Sequence, residues 1–274
     1  DFTPAHVRKL YFWLAPAITM IPGILVVAVL PFGSFIGHQK MVIADLDVGI
    51  LYTFGIVSLG VYGIVLAGYA SNSKFPFLGG IRSSAQLISY EIAMGMSVVA
   101  VFLVVGNLNL TEVVKYQSDN LLHWFIFKQP LAFIIFTVAA LAETNRTPFD
   151  LPEAEQELAG GYNVEYSSMK FALFFMGEYA NVTAASAMIA TLFLGGWSLP
   201  FGGLDQPATT VSIGILHILI FLAKTCFVLF MIIWVRWMWP RFRYDQLMDL
   251  GWRRFLPLAL ANIVVTAVVL WARS

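Results

Sequence analysis

Seven long apolar stretches, separated by short polar loops with Gly and Pro, constrain this chain more than anything else in it. They run near 11–33, 48–70, 83–106, 125–144, 169–196, 212–237 and 255–272. Each is long enough to cross about 30 Å of hydrocarbon as a helix. Backbone placed in lipid must satisfy its own N–H and C=O groups, and a helix does so within one segment. The expected fold is an all-α membrane protein. It is a polytopic helical bundle whose seven transmembrane helices form a single transmembrane domain over 1–274, with no soluble domain and no internal repeat.

Composition agrees. Residues are 59% hydrophobic and 12% charged, against about 25% charged in soluble domains. Mean hydropathy is +0.79. A net charge of zero argues against nucleic-acid binding. His6, His38, His123 and His217 are scattered without metal-ligand spacing, and Cys226 has no cysteine to pair with. No metal or bound cofactor is expected. The chain begins at Asp1 without a signal peptide, so a preceding piece is expected to be missing.

Orientation follows from the basic residues. On the N-terminal side lie Arg8, Lys9, Lys74, Arg82, Arg146, Lys170, Arg236, Arg241, Arg243, Arg253 and Arg254. The other side has only Lys40, Lys115, Lys128 and Arg273. Basic loops favour the cytoplasmic side. The N-terminal side is therefore expected to face the cytoplasm or matrix.

On that side, residues 145–168 form an acidic loop, with Asp150, Glu153, Glu155, Glu157 and Glu165 against Arg146. Pro148 and Pro152 prevent a helix from continuing out of the fourth span. Pro152 opens a short predicted helix, PEAEQEL, ended by Gly160–Gly161. Glu153 and Glu155 in its first turn suit the helix dipole. Glu153 and Glu157, four apart, repel unless they face a cation, water or a partner.

Four ionisable groups fall inside spans. Glu91 is expected about 12 Å deep and Glu178 about 14 Å deep at the helical rise. Glu143 ends the fourth span, and Lys224 lies near the middle of the sixth. Such groups should face the bundle interior, a cavity or a counter-charge. Apart from His217, the far half of the spans holds almost nothing titratable. The chain thus offers a half-path for charge, passing it sideways to another subunit or only sensing it. The competing reading is static ion pairs that lock helices together.

Three blocks carry a resemblance: GGIRSSAQLISYE at 79–91, ETNRTPFDLPEAEQELAGGYNVEYSSMKFALFFMGEYAN at 143–181 and RWMWPRFRYDQLMDLGWRRFLPLAL at 236–260. In order and spacing they resemble the quinone-site membrane subunit of respiratory complex I, a proton-pumping NADH:quinone oxidoreductase of the bacterial plasma membrane or mitochondrial inner membrane. That family has eight spans, and the seven here match its second to eighth.

The resemblance implies a subunit that joins the hydrophilic arm to the membrane arm and walls the chamber where quinone, the substrate, is reduced. FMN and iron–sulfur clusters belong to partner subunits. Partners would be the hydrophilic quinone-site and iron–sulfur subunits, antiporter-like and small membrane subunits, and membrane lipid. Arg146, Asp150, Glu153, Glu155, Glu157 and Glu165 match the family's chamber and acidic funnel. Glu91, Glu143 and Glu178 match its buried carboxylates, which relay protons or couple; Lys224 joins them on depth alone. Alternatives are the membrane anchor of a nickel–iron hydrogenase, a stand-alone ion carrier, or a passive scaffold. The absence of inverted repeats speaks against the carrier.

Overall fold

The computed structural model describes residues 3–4, 6–36, 39–150, 160–201 and 203–273. Helix α1 (Lys9–Val26) runs into a 3-10 turn at Val27–Val29. A two-residue antiparallel pair follows, β1 (Phe35–Ile36) with β2 (Gln39–Lys40). Then come α2 (Gly49–Ala70), α3 (Lys74–Val105), α4 (Leu110–Ser118), α5 (Phe125–Lys128) and α6 (Pro130–Glu143). Beyond the acidic loop lie α7 (Ser168–Phe193), α8 (Val211–Met238), α9 (Tyr244–Asp249) and α10 (Leu256–Arg273), the last entered through a π-helical turn at Leu250–Phe255.

Every predicted apolar stretch contains a helix, and among the described residues five helices are long and apolar enough to cross a membrane. Two boundaries differ from the sequence expectation. The stretch at 125–144 is broken at Gln129 (φ −132°, ψ 58°), leaving α6 as a shorter apolar helix. Pro130 is the cause, because its ring disfavours helical backbone at the residue before it. The helix expected at 83 begins instead at Lys74. Pro76 falls in its first turn, where a missing N–H costs nothing. Glu91 therefore lies further along its helix than the sequence depth implied.

Helix α3 is central. It packs on α2, α6 and α10, while α1 packs on α2 and α7. Small residues let the backbones approach, as is usual where lipid replaces the hydrophobic drive between helices. A Cβ on Gly177 of α7 would lie 3.1 Å from Met20 Cα of α1. One on Gly68 of α2 would lie 2.7 Å from the Pro76 carbonyl of α3. The interior is filled by Tyr90, Phe136, Phe193 and Phe221, with the Phe136 and Phe193 rings 5.5 Å apart. Leu51, Leu59, Ile88, Phe227, Phe230 and Val264 face outward. An apolar exterior of this kind suits lipid or neighbouring helices.

Candidate functional site

Where α6 ends, its last residue meets α3. Glu143 and Glu91 line one small polar cavity with Thr19, Ser58, Asn145 and Asn181, drawn from α1, α2, α3, α7 and the start of the acidic loop. The Ser58 hydroxyl donates to Glu91 Oε1. The buried Asn181 Oδ1 accepts no hydrogen bond among the described residues. The cavity, about 30 Å³, has room for one or two waters. A second cavity of about 40 Å³ also touches Glu143 and Asn181 but is otherwise mostly apolar, with Val26, Phe54, Met94, Phe136 and Met188.

Immediately after Glu143 the chain is pinned in several places. Arg146 forms an ion pair with Glu178 of α7, the two side chains 10% and 11% exposed. Its guanidinium also sits over the Tyr179 and Phe175 rings, 4.9 and 5.5 Å from their centroids. Asp150 pairs with Arg241 at 2.9 Å, and Arg241 Nη2 also donates to the Asp150 carbonyl at 2.6 Å. Between them, the fully buried Gln86 amide of α3 donates to the carbonyls of Ala142 (2.6 Å) and Phe149 (2.8 Å). One helical turn on, Tyr90 Oη donates to the Leu247 carbonyl at 2.9 Å. Phe149 stacks on Phe242 at 5.3 Å, and the Phe242 N–H donates to the Pro148 carbonyl at 3.1 Å. The start of the acidic loop is thus bound to α3, α7 and the α8–α9 connection.

Other predicted site residues stand apart. Glu165 lies 3.5 Å from His6 Nε2, beside α1 rather than beside Arg146. Its neighbour Tyr166 is stacked on Phe12 at 4.0 Å, and burial pushes that phenol's pKa up. Lys224 is joined to no carboxylate among the described residues. Its Nζ donates to the Leu194 and Ser198 carbonyls, both at 2.7 Å, and sits over the Trp124 ring. His217, buried, has its Nδ1 2.8 Å from Ser34 Oγ and its ring against Trp197. Glu153, Glu155, Glu157 and the helix expected at PEAEQEL lie outside the described residues. Among the described residues, no group of three His, Cys, Asp or Glu side chains is placed to hold a metal ion.

Sequence reasoning missed Ser58, Gln86, Tyr90, Asn181 and Arg241. For Gln86 and Tyr90 a signal existed, since two polar-tipped residues at i and i+4 share one helix face just before Glu91.

The model of the family described as NADH dehydrogenase matches residues 1–267. The chain belongs to the NADH dehydrogenase family. It is 50% identical to NADH-quinone oxidoreductase subunit 8 of Rhodothermus marinus, over 98% of this chain and 79% of that protein. It is 51% identical to a NADH-quinone oxidoreductase subunit of Paramagnetospirillum magneticum, over 98% of this chain and 74% of that one. A NADH-quinone oxidoreductase subunit of Geobacter sulfurreducens is 46% identical over all of this chain and 79% of its own length. Family membership makes the chain a membrane subunit of complex I, an integral membrane part of an enzyme that uses quinone.

Proposed function

We propose that this subunit walls part of the quinone chamber and couples quinone reduction to proton translocation through its buried carboxyls. One observation carries the reading. The acidic loop leaves α6 at Glu143, one end of a cavity shared with Glu91, and is fixed there by the Arg146–Glu178 and Asp150–Arg241 pairs. A change of charge on the loop therefore acts within a few residues of two carboxyls that share a space large enough for water. Carboxyls so placed can exchange a proton with each other or through water. A loop held by a few ion pairs can adopt a second arrangement when those pairs change.

In this reading all seven apolar helices cross the membrane, including the shorter α6 and the more polar α7, as one transmembrane domain. The loop at 145–168, with Glu153, Glu155, Glu157 and Glu165, faces the cytoplasm or matrix toward the hydrophilic quinone-site and iron–sulfur subunits. FMN and the clusters reside in those partners. Glu91, Glu143 and Glu178 pass the change on toward antiporter-like subunits. Lys224, held by backbone carbonyls, ties the α7–α8 connection in place.

The test is Glu143→Gln, which keeps shape and removes the titratable proton, in the purified complex reconstituted in liposomes. Quinone reductase activity and proton translocation should fall, while NADH oxidation by a water-soluble electron acceptor persists. Unimpaired coupled turnover contradicts the proposal.

A further inference from the structure

A second polar cleft lies away from the carboxyls, at the N-terminal end of α1. Arg8, Gly68, Tyr69, Asn72, Ser73, Lys74 and Phe77 line it, in a volume of about 280 Å³. Its walls are fixed by hydrogen bonds across the chain. The Arg8 N–H donates to the Ala70 carbonyl at 3.0 Å, and Asn72 Nδ2 donates to the His6 carbonyl at 3.2 Å. Gly68 admits the start of α3 close against α2. The Arg8 guanidinium donates to Tyr69 Oη and lies 4.5 Å over the Tyr69 ring, which orients the charge without neutralising it. Lys74 is exposed and forms no ion pair among the described residues. Glu165, the acid attached to this end of α1, is engaged by His6.

Two cations thus open on one preformed cleft that no carboxylate lines among the described residues. Around it Leu10, Tyr11, Trp13, Phe75, Phe77 and Leu78 are exposed. Aromatic and long apolar side chains beside Lys and Arg at helix ends mark the level of the lipid headgroups. A soluble acidic partner would leave those apolar side chains in water, whereas a lipid covers them with its chains.

We propose that this cleft binds the phosphate of an anionic membrane lipid, with Arg8 and Lys74 on the headgroup, Tyr69 holding Arg8 in place, and the acyl chains along the exposed apolar faces of α1 and α3. The proposal does not depend on the role of the buried carboxyls.

The test uses the complex purified in mild detergent and stripped of lipid. Binding of phosphatidylglycerol, phosphatidylcholine and inorganic phosphate is measured by native mass spectrometry and by competition. Phosphatidylglycerol should bind one high-affinity site, phosphatidylcholine much more weakly, and inorganic phosphate should fail to displace the lipid. Arg8→Gln with Lys74→Gln should weaken that site about thirtyfold, the effect of two cations at a membrane surface. Lys74→Gln alone, which breaks no contact in the fold, should weaken it several-fold and so stands if the double variant does not assemble. Lys9→Gln, outside the cleft lining, should leave it nearly unchanged. Equal weakening by Lys9→Gln would reduce the effect to general surface potential and overturn the site. Displacement by inorganic phosphate at matching concentration, or a cleft filled by a partner subunit's acidic segment, would overturn the lipid assignment.

Discussion

Replacing Glu178 by Gln should loosen the start of the acidic loop by an amount that hydrogen exchange can read. Removing one partner of a buried ion pair costs about 3–5 kcal/mol, mostly because the other charge is left behind. Here three features reduce the cost. About a tenth of each side chain remains exposed, the Gln amide oxygen can still accept, and Arg146 keeps its places over Tyr179 and Phe175. Roughly 2 kcal/mol remains, or about thirtyfold in the population of the opened loop. The Phe149 N–H, bonded to the Arg146 carbonyl at 2.8 Å, reports that opening. Its exchange in the assembled complex should accelerate by about that factor. The double variant Arg146→Met with Glu178→Leu replaces the pair by apolar side chains, a change that is often neutral for stability. It should restore slow exchange while coupled proton translocation stays low, which separates a role in charge from a role in packing. Unchanged exchange in Glu178→Gln, or a double variant whose effect is the sum of the two single changes, would refute the reasoning.

Gln86→Leu leaves the Phe149 carbonyl without its buried donor and the Ala142 carbonyl with only the Asn145 N–H, at 3.4 Å. At about 1–3 kcal/mol for an unsatisfied group, it should lower the heat stability of the complex and speed exchange across 142–150, and normal values for both would contradict the pinning role. Lys224→Met should loosen residues 194–198 in hydrogen exchange and Lys224→Arg should largely restore them. A coupling defect with full protection of that segment would instead make Lys224 a proton carrier. Asp45 accepts from Lys40, and from Asn109 Nδ2 at 2.8 Å, and the two hold its carboxyl below the ordinary value of 3.8, with Lys40 raised in turn. A lowered carboxylate pKa gives stability that is full above the ordinary value and lost as pH falls through the lowered one. Pepsin cleavage near 39–47 should therefore rise as pH drops below about 4, and Asp45→Asn should remove that dependence. A flat profile in the unaltered protein would contradict it.

The helices were legible because apolar length is a local property, and the end of α6 at Glu143 because Pro148 follows closely and bars a longer helix. The break at Gln129–Pro130 was equally local, but the apolar run around it hid it. What sequence could not supply were pairings across the bundle. Glu178 was expected to face the interior, a cavity or a counter-charge, but sequence did not name its partner, Arg146 of the loop that precedes its own helix. Glu91 and Glu143 share a cavity although some fifty residues separate them. Depth alone grouped Lys224 with the acids, whereas the carbonyls of Leu194 and Ser198 claim it. Gln86 shares a helix face with Tyr90, but only packing shows its amide reaching the Ala142 carbonyl of α6 and the Phe149 carbonyl of the loop.

The most direct measurement is redox-induced infrared difference spectroscopy on the assembled complex, comparing the unaltered protein with Glu143→Gln. If the carboxyl pair takes part in coupling, quinone reduction changes a protonated-carboxyl band, and that change is missing from the Glu143→Gln spectrum. Identical difference spectra from the two proteins would show that Glu143 keeps its protonation state and surroundings through turnover, and would contradict coupling through this cavity.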